Sequence, residues 1–115
     1  MDKIRRGVAI VHFEREENLP LIYTAVRDTV PPETKVVICD DGSSRLTTLP
    51  SEAIFLRGPN LGVAANKNRA LWALQDCHYI SIIEDDLVPQ EKGWFEIYEE
   101  AASLTNIHHF CRIAD

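Results

Sequence analysis

The chain has 115 residues and a mass of 13.0 kDa, enough for one domain with its own core and too little for two. Hydrophobic residues make up 45% of it and charged residues 26%, the proportions of an ordinary soluble globular protein. The net charge of −6 and the isoelectric point of about 5.1 argue against binding to nucleic acid or to an anionic membrane. No apolar stretch approaches the roughly 20 residues that span a bilayer, so we expect a single domain over residues 1–115 without a transmembrane segment.

The cysteines and the N-terminus bear on where the protein resides. Cys39, Cys77 and Cys111 lie in or beside apolar segments and form no CxxC pair. An odd, unpaired set favours reduced, packed thiols, with a metal or redox role as the alternative. The basic start is followed by only a short apolar run, 7–13, with no small-residue cleavage site, so no signal peptide is predicted. We therefore expect a cytoplasmic protein.

The first half of the chain predicts three strands and one helix. Stretches rich in β-branched and aromatic residues predict strands at 7–13, 35–39 and 53–56. Between the first two, apolar residues recur at helical spacing at Ile22, Ala25, Val26 and Val30. Asn18 is a candidate N-cap, with Pro20 in the first turn, and the Pro31-Pro32 pair stops the helix.

The second half predicts two helices and two strands. A helix is expected over 62–74, capped by Asn60, with one face formed by Val63, Ala70, Leu74 and Cys77. Strands are expected at 79–83 and 108–114. Between them, a helix is expected with an apolar stripe at Trp94, Tyr98, Ala101 and Thr105. The order β-α-β-β-α-β-α-β predicts an α/β fold with three layers, α/β/α, around a mostly parallel sheet.

The fourth predicted strand runs directly into three consecutive acids, Glu84, Asp85 and Asp86. At the C-terminal end of a buried parallel strand they would lie at the edge where ligands bind. Two unit charges ~4 Å apart repel by about 1 kcal/mol in water and about 4 at an effective dielectric of 20. A hard divalent cation, Mg²⁺ or Mn²⁺, would relieve this repulsion. Without one, the same acids form a solvated turn, and the triplet alone does not decide between the two.

Two further segments carry polar groups at strand or helix ends. Asp40 and Asp41 either cap the turn at Gly42 or accept hydrogen bonds from a nucleobase or from ribose hydroxyls. Lys67 and Arg69 lie in the first turns of a helix, where the dipole disfavours cations. A bound phosphate would account for them, and otherwise Lys67 is an ordinary solvated residue.

Three polar clusters, 12–15, 40–44 and 84–86, thus follow strands that are expected to end at one edge of the sheet. Their convergence is the main physical argument for a functional site, which His12 is expected to line rather than to serve as a catalyst. The sequence contains no GxGxxG after the first strand, no GxxxxGK[ST] and no nucleophile elbow. Dinucleotide-binding enzymes of the usual kind, P-loop proteins and α/β-hydrolases are therefore not predicted.

With these motifs in this order, the chain resembles the nucleotide-binding half of a GT-A glycosyltransferase, most closely of the family 2 type. Residues 37–44 (VICDDGSS) match the V-D-D-G-S-T element of that family, and residues 60–68 (NLGVAANKN) match its N-x-G-x-x-x-A-R-N element. Residues 84–86 stand where its DxD motif stands. Residues 11–14 (VHFE) occupy the place of its P-x-Y-N element but lack the proline and the asparagine. The resemblance covers nearly the whole chain and implies a GT-A type of fold, truncated to its N-terminal half.

The resemblance also implies roles for the residues that follow the first two strands. His12 and Glu14 would border the base. Asp40 would hydrogen-bond the uracil or an equivalent ring, with Asp41 also among the substrate-binding residues. Lys67 would approach the diphosphate.

For the acidic triplet, the resemblance implies a metal-bound diphosphate. Glu84 and Asp85 would face the ribose and the metal waters, and Asp86 would ligate the Mn²⁺ or Mg²⁺ that bridges the two phosphates. The sequence Glu-Asp-Asp-Leu at 84–87 also looks like the acidic motif of metal-dependent N-acetylglucosaminyltransferases, which favours a UDP-sugar.

The resemblance leaves the acceptor side unassigned. Members of the family are usually longer, and their second half carries the acceptor site and, in inverting members, the base that deprotonates the acceptor hydroxyl. This chain stops where that half would begin. No catalytic base is assigned, although Asp115 would end the last predicted strand at the same edge.

The expected function is transfer of a glycosyl group from a nucleoside-diphosphate sugar with Mn²⁺ or Mg²⁺. Two alternatives stay open. One is a non-catalytic domain that binds a nucleotide or nucleotide-sugar, and the other is a nucleotidyltransferase of related fold, whose glycine-rich signature is missing. Without a second half, apolar sheet surface would be exposed, so we also expect the chain to self-associate.

Overall fold

The structure is a computed structural model that describes residues 3–44, 50 and 52–107. Its four strands form one parallel sheet in the order β3-β2-β1-β4: β1 (Arg6–His12), β2 (Lys35–Asp40), β3 (Ile54–Arg57) and β4 (Tyr79–Glu84). Its helices are α1 (Leu19–Thr29), preceded by a 3₁₀ turn at Glu16–Asn18, α2 (Val63–Ala73) and α3 (Trp94–Thr105). The predicted α/β class and the parallel sheet are confirmed. The predicted last strand, 108–114, lies outside the described residues.

Helices cover both faces of the sheet, because alternate residues of β1 and β2 point to opposite sides and nearly all are apolar. On one face, α1 and α3 pack against the side chains of Val8, Ile10, Val36 and Ile38. On the other face, α2 packs against Ala9, Val11, Val37 and Cys39 through Ala70 and Leu74. The arrangement is compatible with the predicted three layers.

The predicted first helix is confirmed in its position and in its buried face. Ile22 and Val26 have no exposed surface, and Val30 is 7% exposed. Asn18 stands at the N-cap position, but its side chain makes no capping hydrogen bond. Its amide instead donates to the carbonyl oxygen of Asp85 at 3.4 Å, so Asn18 links the start of α1 to the turn after β4.

The predicted face of the second helix is wrong at its N-terminal end. Asn60 is not the N-cap, since α2 begins after Gly62. Val63, predicted to be buried, is 63% exposed, and the polar residue Asn66 is buried in its place above Ala70 and Leu74. The reason is a hydrogen bond from the Asn66 amide to the carbonyl oxygen of Cys39 at 2.9 Å. This bond compensates the free-energy cost of burying a polar side chain.

The third helix is held by specific contacts more than by the predicted stripe. Its buried residue is Phe95, whereas the predicted Tyr98 and Thr105 are exposed. Trp94 is half-buried and donates through Nε1 to the Thr29 hydroxyl at 2.8 Å. The guanidinium of Arg6 binds both carboxylate oxygens of Glu99, at 2.6 and 2.9 Å. The Arg6–Glu99 pair ties α3 to the start of β1.

The fourth strand is less buried than its apolar sequence predicts. Only Ile83 of its residues is buried, because β4 is an edge strand of the four described strands. Large apolar side chains are also exposed on the helices, at Trp72, Ile97 and Leu104. The expected self-association is not tested by these exposures and stays a prediction. None of the helices in the described ranges is long and apolar enough to cross a membrane.

The core of α1 offers a matched test of the packing. Leu19 has no exposed surface and Leu21, two positions along the same helix, is 61% exposed. Leu19→Ala should lower the free energy of unfolding by about 2–5 kcal/mol, because it leaves a cavity among packed neighbours. Leu21→Ala should change it by no more than about 0.5 kcal/mol. Urea denaturation of both variants measures the difference, and equal effects would contradict this placement of α1.

Candidate functional site

The three polar clusters meet at the carboxyl edge of the sheet, as predicted. His12 pairs with Asp40 in the β1–β2 register, and Val11 pairs with Glu84 in the β1–β4 register. The chain passes from β1 outward to β2 and β3 and then returns to place β4 on the other side of β1. Such a reversal opens a crevice between the carboxyl ends of β1 and β4, and open parallel sheets bind ligands there. Residues 12–15 and 84–86 flank this crevice.

Asp40, at the end of β2, is fully buried and committed to its own turn. Its Oδ2 accepts from the amides of Gly42 and Ser43 at 3.0 and 2.8 Å, and its Oδ1 accepts from the Ser43 hydroxyl at 2.5 Å. The guanidinium of Arg57 lies 3.4 Å from Oδ2. These contacts cap the turn at Gly42, which is the first of the two roles that the sequence left open for Asp40.

Asp41 and Gly42 join this turn to the loop before α2. The two carboxylate oxygens of Asp41 accept from the amides of Leu61 and Gly62 at 3.1 and 3.2 Å. Gly42 has φ +83°, and a Cβ placed there would lie 2.8 Å from the amide nitrogen of Asn60. Glycine is therefore required both by the backbone conformation and by the close approach of the two loops.

Glu14 binds the turn after β2 from the side of β1. Its amide donates to the Ser43 hydroxyl at 2.7 Å, and its carboxylate accepts from the amide and the hydroxyl of Ser44, the latter at 2.8 Å. The residue adopts φ 61°, a left-handed conformation that is costly for a non-glycine residue. Glu14 therefore closes residues 13–15 onto residues 43–44.

Asn66 and Arg69 are structural residues of this region, and neither was assigned its observed role from the sequence. Arg69 donates to the carbonyl oxygen of Asp40 at 3.1 Å and to the Asn66 side chain at 2.7 Å. A Cβ on Gly58 would collide with its guanidinium, so the side chain lies directly against that backbone. These contacts give Arg69 a role in packing α2 onto the end of β2, in place of the phosphate contact considered from the sequence.

Lys67 lies beside the acidic turn after β4, and its predicted contact with a diphosphate stays a prediction. Its Nζ lies 3.0 Å from Oε1 of Glu84, and the two side chains are 38% and 56% exposed. An ion pair this exposed contributes at most about 1 kcal/mol to stability, so either partner can be exchanged for a ligand group.

Asp85 and Asp86 are adjacent in sequence and differ completely in their contacts. Asp85 Oδ2 accepts from the amide of Phe13 at 3.1 Å, and its Oδ1 lies 3.7 Å from Nη1 of Arg15. Asp86 is exposed and makes no hydrogen bond or ion pair with any residue in the described ranges. Asp86 is thus the acid of the triplet whose oxygens are free.

The donor set fits a divalent cation that shares a phosphate ligand. Within residues 3–44, 50 and 52–107, no group of three His, Cys, Asp or Glu side chains converges to hold an ion by itself. Mg²⁺ in nucleotide sites usually binds one or two carboxylates and completes its shell with phosphate oxygens and waters. The one free carboxylate of the described triplet, that of Asp86, matches that need, whereas a preformed protein cage is absent from the described part.

His12 lies in the floor of the crevice between the turns after β2 and β4. Its side chain has no exposed surface, its Nε2 lies 3.7 Å from Asp40 Oδ1, and its Nδ1 lies 3.4 Å from Asp85 Oδ2. Neither ring nitrogen makes a hydrogen bond in the described structure. The structure therefore gathers every predicted site residue at one edge, namely His12, Glu14, Asp40, Asp41, Lys67, Glu84, Asp85 and Asp86.

The cysteine thiols in the described ranges are free. Burial raises the pKa of Cys39, in the strand that leads to the Asp40 turn, to about 11. At neutral pH its thiol is protonated and weakly nucleophilic, which agrees with a packing role. Cys111 lies outside the described residues.

Comparison of the chain with protein-family models, with curated proteins and with solved structures gives no match. The resemblance stated above therefore stands on the residues alone, and the fold and the site geometry add only the α/β architecture to it.

Asp40 and Asp86 give a matched test of which acids hold the site together. Asp40→Asn should lower the free energy of unfolding by about 1–3 kcal/mol, because an amide nitrogen then faces groups that donate to the carboxylate. Asp86→Asn should be neutral within about 0.5 kcal/mol or slightly stabilising, since it removes an exposed charge from an acidic triplet. Thermal and urea unfolding measure both, and an Asp40→Asn protein as stable as the parent would contradict the anchoring role.

Proposed function

We propose that the chain is a nucleotide-sugar-binding domain of the GT-A glycosyltransferase type and that its ligand is a nucleoside-diphosphate sugar, with a UDP-sugar favoured. The observation that carries the proposal is the meeting of Lys67 with the acidic turn at the point where the strand order reverses. A partly exposed lysine and a free carboxylate at the crevice of a parallel sheet suit a diphosphate with a divalent ion.

Lys67 and Asp86 contribute to diphosphate binding in different ways. Lys67 leaves its ion pair with Glu84 and binds a phosphate oxygen instead. Asp86 would hold Mn²⁺ or Mg²⁺ together with the phosphates. The ion would supply neutralisation of the negative charge of the diphosphate leaving group.

The base is proposed to bind at the wall formed by the loop after β1. Phe13 is 42% exposed there, and a nucleobase stacks on an aromatic side chain of this kind. His12, Glu14 and Asp40 support the wall from within. Because Asp40 has no accessible surface, its proposed part in base recognition is to hold the turn rather than to touch the ring.

The described residues also favour a second candidate, a non-catalytic domain that binds a nucleotide or nucleotide-sugar. Apart from Asp86, the carboxylates of the described edge are engaged with turn amides, hydroxyls or cations. Only Glu84 would be released when Lys67 turns to a phosphate, and no described contact holds it ready to deprotonate an acceptor hydroxyl. The one candidate base from the sequence, Asp115, lies outside the described ranges. A donor-hydrolysis assay separates the two functions, because release of UDP from a UDP-sugar with Mn²⁺ would rule out binding alone.

The metal dependence of nucleotide binding is the direct test. Titrated calorimetrically with UDP, GDP and their sugars, the protein should bind one of them about tenfold more tightly with Mn²⁺ than without, a difference of about 1.4 kcal/mol. Asp86→Ala should abolish that gain because it removes the protein's ligand to the ion. Asp28→Ala, which removes an exposed carboxylate from α1, should keep it. A full gain in Asp86→Ala would contradict the role of Asp86, and no binding of any of these ligands would contradict the function.

Lys67→Met tests the diphosphate contact separately from the base. Loss of a hydrogen bond to a charged group costs about 1.5–3 kcal/mol, so UDP should bind at least about tenfold more weakly, whereas uridine should be unaffected. Lys3→Met, which removes an exposed lysine near the start of β1, serves as the control. Equal losses for UDP and uridine would show that Lys67 acts through the fold.

A further inference from the structure

The imidazole of His12 is an unsatisfied polar group in a fully buried place. Its side chain has no exposed surface, and neither ring nitrogen has a hydrogen-bond partner in the described structure. Buried polar groups are normally hydrogen-bonded, and leaving one unpaired costs about 1–3 kcal/mol. Yet each nitrogen faces a carboxylate oxygen less than 4 Å away, on Asp85 and on Asp40. A small movement of the turn after β4 would make the missing bond.

The partner that completes this contact is Asp85 rather than Asp40. A neutral imidazole donates through one of its two nitrogens. Nδ1 is 3.4 Å from Asp85 Oδ2, whereas Nε2 is 3.7 Å from Asp40 Oδ1, which already accepts from the Ser43 hydroxyl at 2.5 Å. Asp40 is held by its own turn without His12, whereas the Asp85 carboxylate has one hydrogen-bond donor among the described residues, the amide of Phe13.

We propose that His12 is a positioning residue that donates through Nδ1 to Asp85 and thereby fixes the turn that presents Asp86. The Asp85 carboxylate accepts from the amide of Phe13, the residue after β1, and would accept from His12 at the end of β1. Asn18 holds the same turn through the Asp85 carbonyl. Asp86, one residue further on, has no hydrogen bond or ion pair with the described part of the chain to orient it. Its direction is set by Asp85, and the consequence for a metal-bound diphosphate rests on the proposed function.

Three substitutions distinguish two possible roles of His12, donation of a hydrogen bond through Nδ1 and simple filling of the core. His12→Asn places its amide nitrogen near the position of Nδ1, His12→Gln places it near Nε2, and His12→Phe fills the volume without a donor. If His12 positions Asp85, Asn should preserve the contact, and Gln and Phe should lose it. A residue that only fills space would give the opposite order, with the larger Phe and Gln better than Asn.

Hydrogen exchange in the ligand-free protein reads this contact directly. The Phe13 amide donates to the same Asp85 oxygen, so a loosened Asp85 should speed its exchange by roughly fivefold to tenfold relative to amides in the centre of the sheet. We expect this in His12→Gln and His12→Phe after correction for intrinsic rates, and not in His12→Asn. Phe13 protection that is unchanged in His12→Phe, or equal in the Asn and Gln variants, would overturn the inference. If the Phe variant does not fold, the Asn and Gln pair still decides.

Titration with UDP with and without Mn²⁺ then tests the consequence. His12→Gln should lose most of the gain in UDP affinity that Mn²⁺ gives, and His12→Asn should keep it. Loss of a residue that orients a metal ligand typically weakens metal binding about 10–100-fold. A full Mn²⁺ effect in His12→Gln would overturn the link to Asp86. If the parent protein binds none of UDP, GDP and their sugars, the proposed function is refuted, while the exchange rates still decide whether His12 positions Asp85.

Discussion

The candidate site depends on one buried charge, the carboxylate of Asp40 at the end of the second strand. A carboxylate without access to water costs several kcal/mol unless hydrogen bonds compensate it. Asp40 obtains them from the amides and the hydroxyl of residues 42–43, which bends the chain into a tight turn. That turn brings Gly42 against Asn60 and Ser43 against the amide of Glu14. The loops on both sides are therefore fixed by the need to satisfy one acid.

The sequence was sufficient for the features that depend on hydrophobic patterning and chain direction. Apolar runs that stop at acids located the carboxyl ends of β1, β2 and β4. A parallel sheet then required these ends to meet, as the pairing of His12 with Asp40 confirms. The pattern failed where a polar residue is buried for its hydrogen bonds. Asn66 replaces the predicted Val63 in the face of α2, and only the position of the Cys39 carbonyl explains that choice.

The roles of the individual acids were beyond the reach of the sequence, because identical side chains serve opposite purposes. Asp40 is buried and saturated with donors, whereas Asp86 is exposed and unpaired among the described residues. What separates them is the curvature of each turn, which decides whether backbone amides point at a carboxylate. The Asp-Asp-Gly turn aims two amides at Asp40, while the acidic turn after β4 aims none at Asp86. Motif matching alone gave both acids ligand contacts.

The balance of charge at the edge explains why a cation belongs in the proposed mechanism. Turn amides, hydroxyls and Lys67 compensate the other acids of the edge, whereas no described residue compensates Asp86. A diphosphate that approached alone would meet this charge on a chain whose net charge is −6. Lys67 can neutralise one negative charge and must leave Glu84 unpaired to do so. A divalent cation held by Asp86 would compensate the negative charge of that carboxylate and the negative charge of the phosphates. The metal and the nucleotide should therefore bind together.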